Sequence, residues 1–234
     1  MHTDLIFVPY TPQREIIAAC FVAAQNDPDV IGLLLAGSFA RGDALPDSDV
    51  DLYFLLCDGC SRSFNTELRN GILIESQYDD AARVKAKLTN NPMTIYTYLD
   101  GRVLYDLENR FPELIRLAQE TQNSFSVTEK DRADIAHWLL SASLKVKASR
   151  VAGDQFKMAF IVSSSTYQVF AGLWAVNQKP MPASGGVLAH LKDLPLQPDH
   201  IPGWLEKFLT GELEERAMTF QALCGWLISL LSTS

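Results

Sequence analysis

The chain has 234 residues, 47% of them apolar, and a formal net charge of −8. This length and composition allow one or two domains with a substantial core. Apolar runs such as 31–36 are far shorter than the ~20 residues of a transmembrane helix. The acidic balance argues against a nucleic-acid partner, since nonspecific nucleic-acid binders carry a basic surface. Because the first residues also lack the segments of a signal peptide, we expect a cytoplasmic protein without a membrane partner.

The acidic excess is confined to the first half of the chain. Residues 1–125 contain 18 acidic residues against 10 Lys and Arg, whereas 126–234 contain 10 of each. The first half is therefore expected to hold cations or to attract a cationic substrate. An acidic surface without any ligand would give the same count.

The first part of the chain alternates between helical and extended patterns. Thr11 and Pro12 begin a helix that the stretch 26–29 ends. Apolar or alternating runs predict strands over 30–36, 50–56, 71–77, 93–99 and 102–105, and spacing near 3.6 residues predicts helices over 79–88 and 108–120. Asp100-Gly101, between the last two strands, is typical of a hairpin turn.

From Ser126 onward the pattern is helical, and Ser126 with Glu129 is typical of a capping box. The predicted helices cover 128–150, 154–176, 201–210 and 212–231. Five aromatic residues of the second helix are predicted to lie in the core: Phe156, Phe160, Tyr167, Phe170 and Trp174. The sequence thus predicts an α+β fold, with a small mixed β-sheet flanked by helices over 1–122 and an all-helical bundle domain over 123–234.

Two carboxylates at the start of the second predicted strand are the main chemical signal. Asp49 and Asp51 are two residues apart, so both side chains project from the same face of a strand. They repel each other unless a positive charge lies between them, and hard oxygen ligands of this kind suit Mg²⁺. About ten residues earlier, an apolar strand ends at Gly37-Ser38, which suits close approach of a phosphate.

Glu75 is the candidate third carboxylate. It interrupts the apolar run Ile72-Leu73-Ile74, and a lone Glu among such residues is costly to bury without a partner or a metal. An exposed position on a half-buried strand is the alternative. If Glu75 joins Asp49 and Asp51, three carboxylates surround the metal.

The full arrangement resembles the nucleotidyltransferase superfamily, whose palm domain shares the DNA polymerase β fold. Its pattern is an apolar strand, Gly-Ser, roughly ten residues, Asp-apolar-Asp-apolar, and a later acidic residue on another strand. The resemblance covers 30–106, with Gly101–Asp106 similar to the last palm strand, and antibiotic (aminoglycoside and lincosamide) nucleotidyltransferases are the nearest likeness. It implies two Mg²⁺ ions at Asp49, Asp51 and Glu75, and an NTP, expected to be ATP, at Gly37 and Ser38.

Three basic residues are further candidates for the nucleotide site. Arg41 follows the Gly-Ser motif closely, and the resemblance implies that basic residues of the helical half face the triphosphate. Lys147 and Arg150 are three residues apart and can share one helix face. Solvated cations that stabilise a helix C-terminus are the alternative for this pair.

The expected reaction transfers a nucleoside monophosphate, expected to be AMP, from an NTP to a hydroxyl of a small molecule, releasing pyrophosphate. An aminoglycoside-like antibiotic suits the acidic first half, and antibiotic resistance is the implied role. A protein acceptor, as in antitoxin-type nucleotidyltransferases, is the main enzymatic alternative. A catalytically silent nucleotide-binding module and a purely structural helical protein are the others. Both a monomer and a homodimer agree with the sequence.

The four cysteines, at 20, 57, 60 and 224, are too scattered for a disulfide framework. Cys57 and Cys60 form a C-x-x-C motif without a second pair at zinc spacing. We expect a structural role for them.

Overall fold

The computed structural model describes residues 5–198 and 203–232. Within them the chain forms two compact units. The first contains the residues up to Ser124 together with Pro182–Ala189, and the second contains Phe125–Met181 and the residues from His190 onward. The first unit holds a mixed sheet with flanking helices and the second is helical, which confirms the α+β fold class. The domain boundary between 122 and 123 stays a prediction.

The first unit contains five strands and six helices among the described residues, counting the short segment near 184–190. The strands are β1 (Val30–Leu35), β2 (Val50–Leu56), β3 (Asn65–Arg69), β4 (Ile72–Asp80) and β5 (Arg102–Asp106). The helices are α1 (Thr11–Asn26), α2 (Gly37–Arg41), α3 (Ala81–Asn90), α4 (Ile95–Asp100), α5 (Phe111–Ser124) and α9 (Ser184–His190), and Pro92–Thr94 is a 3₁₀ turn before α4.

The strands form one sheet in the order β3-β4-β2-β1-β5. Strand β2 pairs with β1 in antiparallel and with β4 in parallel orientation. The parallel register places Asp51 directly beside Glu75. Two carboxylates far apart in sequence are therefore neighbours on one face of the sheet.

The central strand β1 is buried at all six positions because helices cover both faces of the sheet. Leu33 and Leu35 belong to an apolar cluster with Ile17 of α1. Leu34 points to the opposite face and packs in a cluster with Phe111 of α5. A near-continuous apolar run is what a strand covered on both faces requires.

The strand predicted over 93–99 is wrong: these residues form the 3₁₀ turn and helix α4. Aromatic and β-branched residues favour strands in general. Here, however, Ile95 and Tyr98 are three residues apart and both are buried, which is helical spacing. The predicted hairpin at Asp100-Gly101 is also wrong, because Gly101 follows the helix and leads into β5. A Cβ at Gly101 would lie 2.5 Å from the carbonyl oxygen of Thr97, so a glycine is required there.

A real hairpin lies elsewhere, between β3 and β4, and the sequence analysis missed β3. Asn70 and Gly71 connect the two strands, and both have positive φ, 54° and 81°. Asn-Gly with two left-handed residues is a typical two-residue hairpin turn. The helix predicted over 79–88 begins later, at Ala81, because Asp79 still belongs to β4 and Asp80 caps the helix by accepting from the Arg83 N–H.

The second unit is a helical bundle. Its helices are α6 (Glu129–Val151), α7 (Gln155–Ser164), α8 (Thr166–Val176), α10 (Trp204–Thr210) and α11 (Leu213–Leu231), with a 3₁₀ turn at Leu191–Asp193. The capping residue of α6 is Thr128 rather than Ser126, since the Thr128 hydroxyl accepts from the Asp131 N–H. Residues 201–202 of the helix predicted over 201–210 lie outside the described residues.

The helix predicted over 154–176 is interrupted at Ser165. In the run 163–166, the Ser164 hydroxyl donates to the Ile161 carbonyl and the Thr166 hydroxyl to the Val162 carbonyl. Hydroxyl groups that bond back to the preceding turn compete with the helical pattern. The helix therefore ends and a new one begins, and the buried residues of α7 and α8 do not lie along one continuous helix face.

The aromatic core predicted along this helix is wrong for three of its five residues. Phe170 and Trp174 of α8 are buried, but Phe156, Phe160 and Tyr167 are 93%, 73% and 51% exposed. In one continuous helix the five would share a face. Because of the break at Ser165, α7 instead buries Met158, Ile161 and Val162.

The most apolar 18 residues within the stretch Gln155–Val176 have a mean hydropathy of 1.3, and 44% of them are buried. Among the described residues it is the one helical stretch long and apolar enough to cross a membrane by length and composition. Much of its apolar character belongs to buried residues of α8 such as Leu173 and Trp174.

Candidate active site

Gly37 lies at the junction where β1 gives way to α2. Its φ is +64°, a conformation that disfavours other residues. A Cβ at Gly37 would lie 1.8 Å from Oδ2 of Asp51. The neighbouring Ala36 N–H donates to the Asp51 carbonyl at 2.9 Å, which fixes the two strands at this point. The glycine thus allows the Asp51 carboxylate to lie against the backbone.

Ser38 follows in the first turn of α2. Its Oγ is buried and has no hydrogen-bond partner among the described residues. Buried hydroxyl groups normally have a partner, so one without a partner needs an explanation. An incoming ligand oxygen would supply one.

Three carboxylates meet beside this junction. Asp49 immediately precedes β2, Asp51 is its second residue, and Glu75 faces Asp51 from β4. One carboxylate oxygen from each lies within 4.8 Å of those of the others. The structure therefore brings together all three residues predicted to bind metal.

The electrostatics of Asp51 show the cost of this arrangement. Burial raises its pKa to about 6, and repulsion from Asp49 and Glu75 adds to the shift, whereas Arg41 opposes it. A cation between the carboxylates would stabilise their ionised forms. Three hard oxygen donors around one point fit a divalent ion such as Mg²⁺.

Arg41 is the last residue of α2, and its guanidinium contacts two neighbours. It pairs with Asp43 at 3.2 Å and donates to the carbonyl oxygen of Gly185 at 3.1 Å. Only 15% of its side chain is exposed. Arg41 therefore links the Gly-Ser junction to the segment Pro182–Ala189, which returns to the first unit from far along the chain.

These residues border a cleft of about 330 Å³ in the first unit. Gly37, Ser38, Arg41, Asp49 and Asp51 line one side. The other walls come from Tyr53 and Ser48, from Met93, Tyr96, Thr97 and Asp100, and from Pro182, Ala183, Gly185 and Gly186. The cleft combines carboxylates with aromatic side chains and with small residues that leave room for a ligand.

Sequence reasoning missed two walls of this cleft. Residues 93–99 are predicted as a strand, and the Pro- and Gly-rich stretch 180–186 falls between the helices predicted over 154–176 and 201–210. The pair Gly185-Gly186 is the local signal for a close approach of the backbone. The neighbouring sequence does not indicate that this pair belongs to the first unit.

The two predicted basic ligands lie in the second unit. Lys147 and Arg150 are on α6 and are exposed, and Arg150 forms an ion pair with Glu214 of α11. Their role at the nucleotide stays a prediction.

A second cluster of metal-ligating groups contains Asp29, Cys57 and Cys60. The Asp29 carboxylate is already paired with Arg62 at 2.8 Å. A hydrogen bond between the Cys57 and Cys60 thiols raises the pKa of Cys57 to about 11, so the thiol stays protonated. Thiolates bind metals and thiols do not, so this cluster is a poorer cation site than the three carboxylates.

The comparison with known families agrees with this geometry. The family model of the nucleotidyltransferase domain matches residues 22–105. That range contains the Gly-Ser junction and all three carboxylates, and it is a nucleotidyltransferase domain. The chain therefore contains a nucleotidyltransferase domain, the kind of domain that transfers nucleoside monophosphates from NTPs.

One solved structure shows a distant similarity over most of the chain. It is a nucleotidyltransferase-like protein from Exiguobacterium sibiricum 255-15, with 14% sequence identity and a TM-score of 0.44. The similarity covers 93% of this chain and 74% of that one. No curated protein matches the chain.

Proposed function

We propose that the protein transfers AMP from ATP to a hydroxyl group of a small cationic molecule, in a reaction that depends on Mg²⁺. The observation that carries the proposal is the meeting of Asp49, Asp51 and Glu75, whose oxygens lie within 4.8 Å of one another. Such a cluster is unfavourable by itself, and the raised pKa of Asp51 reflects this. A metal-dependent reaction gives the cluster a role.

In this proposal Asp49, Asp51 and Glu75 hold two Mg²⁺ ions. Bound there, the metal would neutralise phosphate charge and lower the pKa of the acceptor hydroxyl. The residues of the chain mainly position the reactants, as is general for phosphoryl transfer.

The Gly-Ser junction is proposed to hold the phosphates. The Ser38 hydroxyl, which lacks a partner among the described residues, would donate to a phosphate oxygen. Gly37 leaves the backbone accessible, and Arg41 borders the same side of the cleft. A guanidinium suits phosphate recognition because its N–H groups match phosphate oxygens.

The acceptor is proposed to be cationic because acidic and aromatic side chains line the cleft. Asp100, which is not one of the three carboxylates assigned to the metal, lines the cleft together with the rings of Tyr53 and Tyr96. Carboxylates pair with ammonium groups, and aromatic faces also attract cations. An aminoglycoside-like amino sugar has both the ammonium groups and the hydroxyl that the reaction requires.

Pyrophosphate release tests the proposal. Each NTP would be incubated with Mg²⁺ and with aminoglycosides, lincosamides or neutral sugars, and mass spectrometry of the adduct would identify the acceptor atom. Asp49→Ala and Asp51→Ala should lose turnover, whereas Asp47→Ala, an exposed acid outside the cleft lining, should retain it. Turnover in both alanine variants would overturn the metal assignment, and a preference for neutral acceptors would overturn the acceptor class.

A further inference from the structure

The second unit exposes a group of large aromatic side chains on α6 and α7. Trp138 is 60% exposed, Phe160 is 73% exposed and Phe156 is 93% exposed. Phe156 and Phe160 are four residues apart and thus share one face of α7. Single exposed apolar residues are common, but adjacent large ones mark interaction surfaces.

Trp138 and Phe160 line the same groove, which runs between α6 and the α7–α8 pair and has a volume of about 320 Å³. Trp138 and Lys145 are both on its α6 wall, seven residues apart. Seven residues span two helical turns, or roughly 10 Å. Gln168 on α8 continues the opposite wall. The groove therefore has the length and the concave form to receive about two turns of a helix.

Among the residues that line this groove, Lys145 is the only charged one, so the charge of the groove itself is positive, in contrast to the acidic chain as a whole. Asp154 is the only acid between 135 and 178, and its carboxylate accepts from the Lys157 N–H at the start of α7. Within the described part of the chain, neither Lys145 nor Lys147 has an acidic partner. The other cations of this stretch, Lys147, Arg150 and Lys157, do not line the groove, and Arg150 is paired with Glu214.

We propose that this groove binds an acidic amphipathic helix of a partner protein. Apolar side chains of that helix would pack between Trp138 and Phe160, and its carboxylates would pair with Lys145 at the rim. A second copy of this chain fits less well, because a two-fold contact would bring the same lysines together. A bilayer surface fits less well too, since the aromatic walls face into a groove rather than forming one flat face.

Trp138 provides a direct signal for binding. Of the four tryptophans, Trp174 and Trp204 are buried and Trp226 is half-buried, so Trp138 is the most exposed. The probe is a synthetic peptide of about four helical turns, or roughly 14 residues, with Leu at positions i, i+3, i+4 and i+7 and Glu elsewhere. Binding should protect Trp138 from acrylamide quenching in a saturable manner.

Two control peptides separate charge from pattern. One replaces every Glu by Lys, and the other has the same composition as the acidic peptide in scrambled order. We expect each to bind the full-length protein at least tenfold more weakly than the acidic peptide, which itself should bind with a micromolar Kd. Equal binding of the basic or scrambled peptide, or binding by none of the three, would overturn the proposal.

Matched variants locate the site. Lys145→Glu should weaken binding of the acidic peptide about tenfold, whereas Lys147→Glu should weaken it less than threefold. Residues two apart on a helix point in different directions, so both variants change net charge equally but only one changes the groove. Phe160→Ser should also abolish binding, and its side chain is too exposed to be needed for folding, which thermal unfolding would verify.

The remaining outcomes identify other occupants and would overturn the proposal. Protection of Trp138 by vesicles with anionic lipid, but not by the peptide, would identify a membrane surface. A concentration-dependent dimer in sedimentation that Phe160→Ser disrupts would identify a second copy. Equal losses in Lys145→Glu and Lys147→Glu would show that net charge, not the groove, determines binding.

Discussion

Replacing Asp51 by Asn should stabilise the metal-free protein while abolishing its activity. The folded state raises the Asp51 pKa from 3.8 to about 6 because the carboxylate is buried next to Asp49 and Glu75. A shift of about two pKa units corresponds to about 3 kcal/mol at ~1.4 kcal/mol per unit. Since the side chain is partly exposed, we expect about 1–2 kcal/mol of this to appear as a gain in the free energy of unfolding at pH 7.5.

The pH dependence gives the sign of the effect. A carboxyl group whose pKa is raised on folding contributes stability below its unfolded pKa, and this contribution is lost as pH rises through the folded pKa. Wild type should therefore lose stability relative to Asp51→Asn between about pH 4 and pH 6. Below that window the two proteins should be equally stable.

Hydrogen exchange in EDTA measures this locally, because all four tryptophans lie outside the first unit. Peptides that cover β1 and β2 should exchange more slowly in Asp51→Asn than in wild type at pH 7.5. Asp47→Asn, which changes an exposed acid nearby, should have no effect. Added Mg²⁺ should slow exchange in wild type and not in Asp51→Asn. Faster exchange in Asp51→Asn, or a difference that does not depend on pH, would refute the electrostatic reasoning.

Three further substitutions follow from the Gly-Ser junction. Gly37→Ala should destabilise the first unit by more than about 2 kcal/mol and abolish turnover, since its Cβ would meet the Asp51 carboxylate. Gly42→Ala is the control, because φ is also positive there but a Cβ would meet no atom within 4 Å. Thermal unfolding should show that Gly42→Ala lowers the free energy of unfolding by only about 1 kcal/mol. An equal loss of stability in both variants would contradict the steric argument. Ser38→Ala should raise the KM for ATP several-fold without reducing stability, because the hydroxyl has no partner among the described residues; an unchanged KM would remove Ser38 from the phosphate site. Arg41→Ala should raise the Asp51 pKa further, so that activity falls off at a higher pH than in wild type, and an unmoved pH profile would show that the two groups are not coupled.

The parts of the site that could be predicted are those encoded within one strand or turn. Asp49 and Asp51 follow from the two-residue period of a strand, and Glu75 from its interruption of an apolar run. Their meeting depends on the parallel pairing of β2 and β4, which no local pattern specifies. Asn70-Gly71 is a sequence typical of a two-residue hairpin turn. Strand β3 before it is not predicted, because its mostly exposed residues do not alternate between apolar and polar.

Other errors have a tertiary origin. The residues of α4 have strand-forming composition, and only their burial against the sheet favours a helix. In one continuous helix the aromatic residues of α7 and α8 would lie on the same face, but the helix is interrupted at Ser165. No Pro or Gly in the sequence marks this interruption. The sequence therefore predicts which residues share one face of a helix better than it predicts which face is buried.

The segment with Gly185 offers a test of the cleft that does not disturb the core. Gly185 lies in α9, and a Cβ there would meet no atom within 4 Å. Because Ala is favoured over Gly within a helix by about 1 kcal/mol, Gly185→Ala should leave stability unchanged or slightly higher. Gly185 lines the cleft, so Gly185→Leu should place a side chain in the space that substrates occupy.

We therefore expect Gly185→Leu to raise the KM of the acceptor or of ATP at least tenfold, and Gly185→Ala to raise it by a smaller factor. Both variants should unfold at or above the unfolding temperature of wild type. Gly225→Leu, at another helical glycine with open space around it, is the matched control and should leave both KM values unchanged. The substrate whose KM rises identifies what lies against α9. If kcat falls while both KM values stay constant, the side chain displaces Arg41, which bonds the Gly185 carbonyl, instead of excluding a substrate. If all parameters are unchanged, this wall of the cleft has no part in binding.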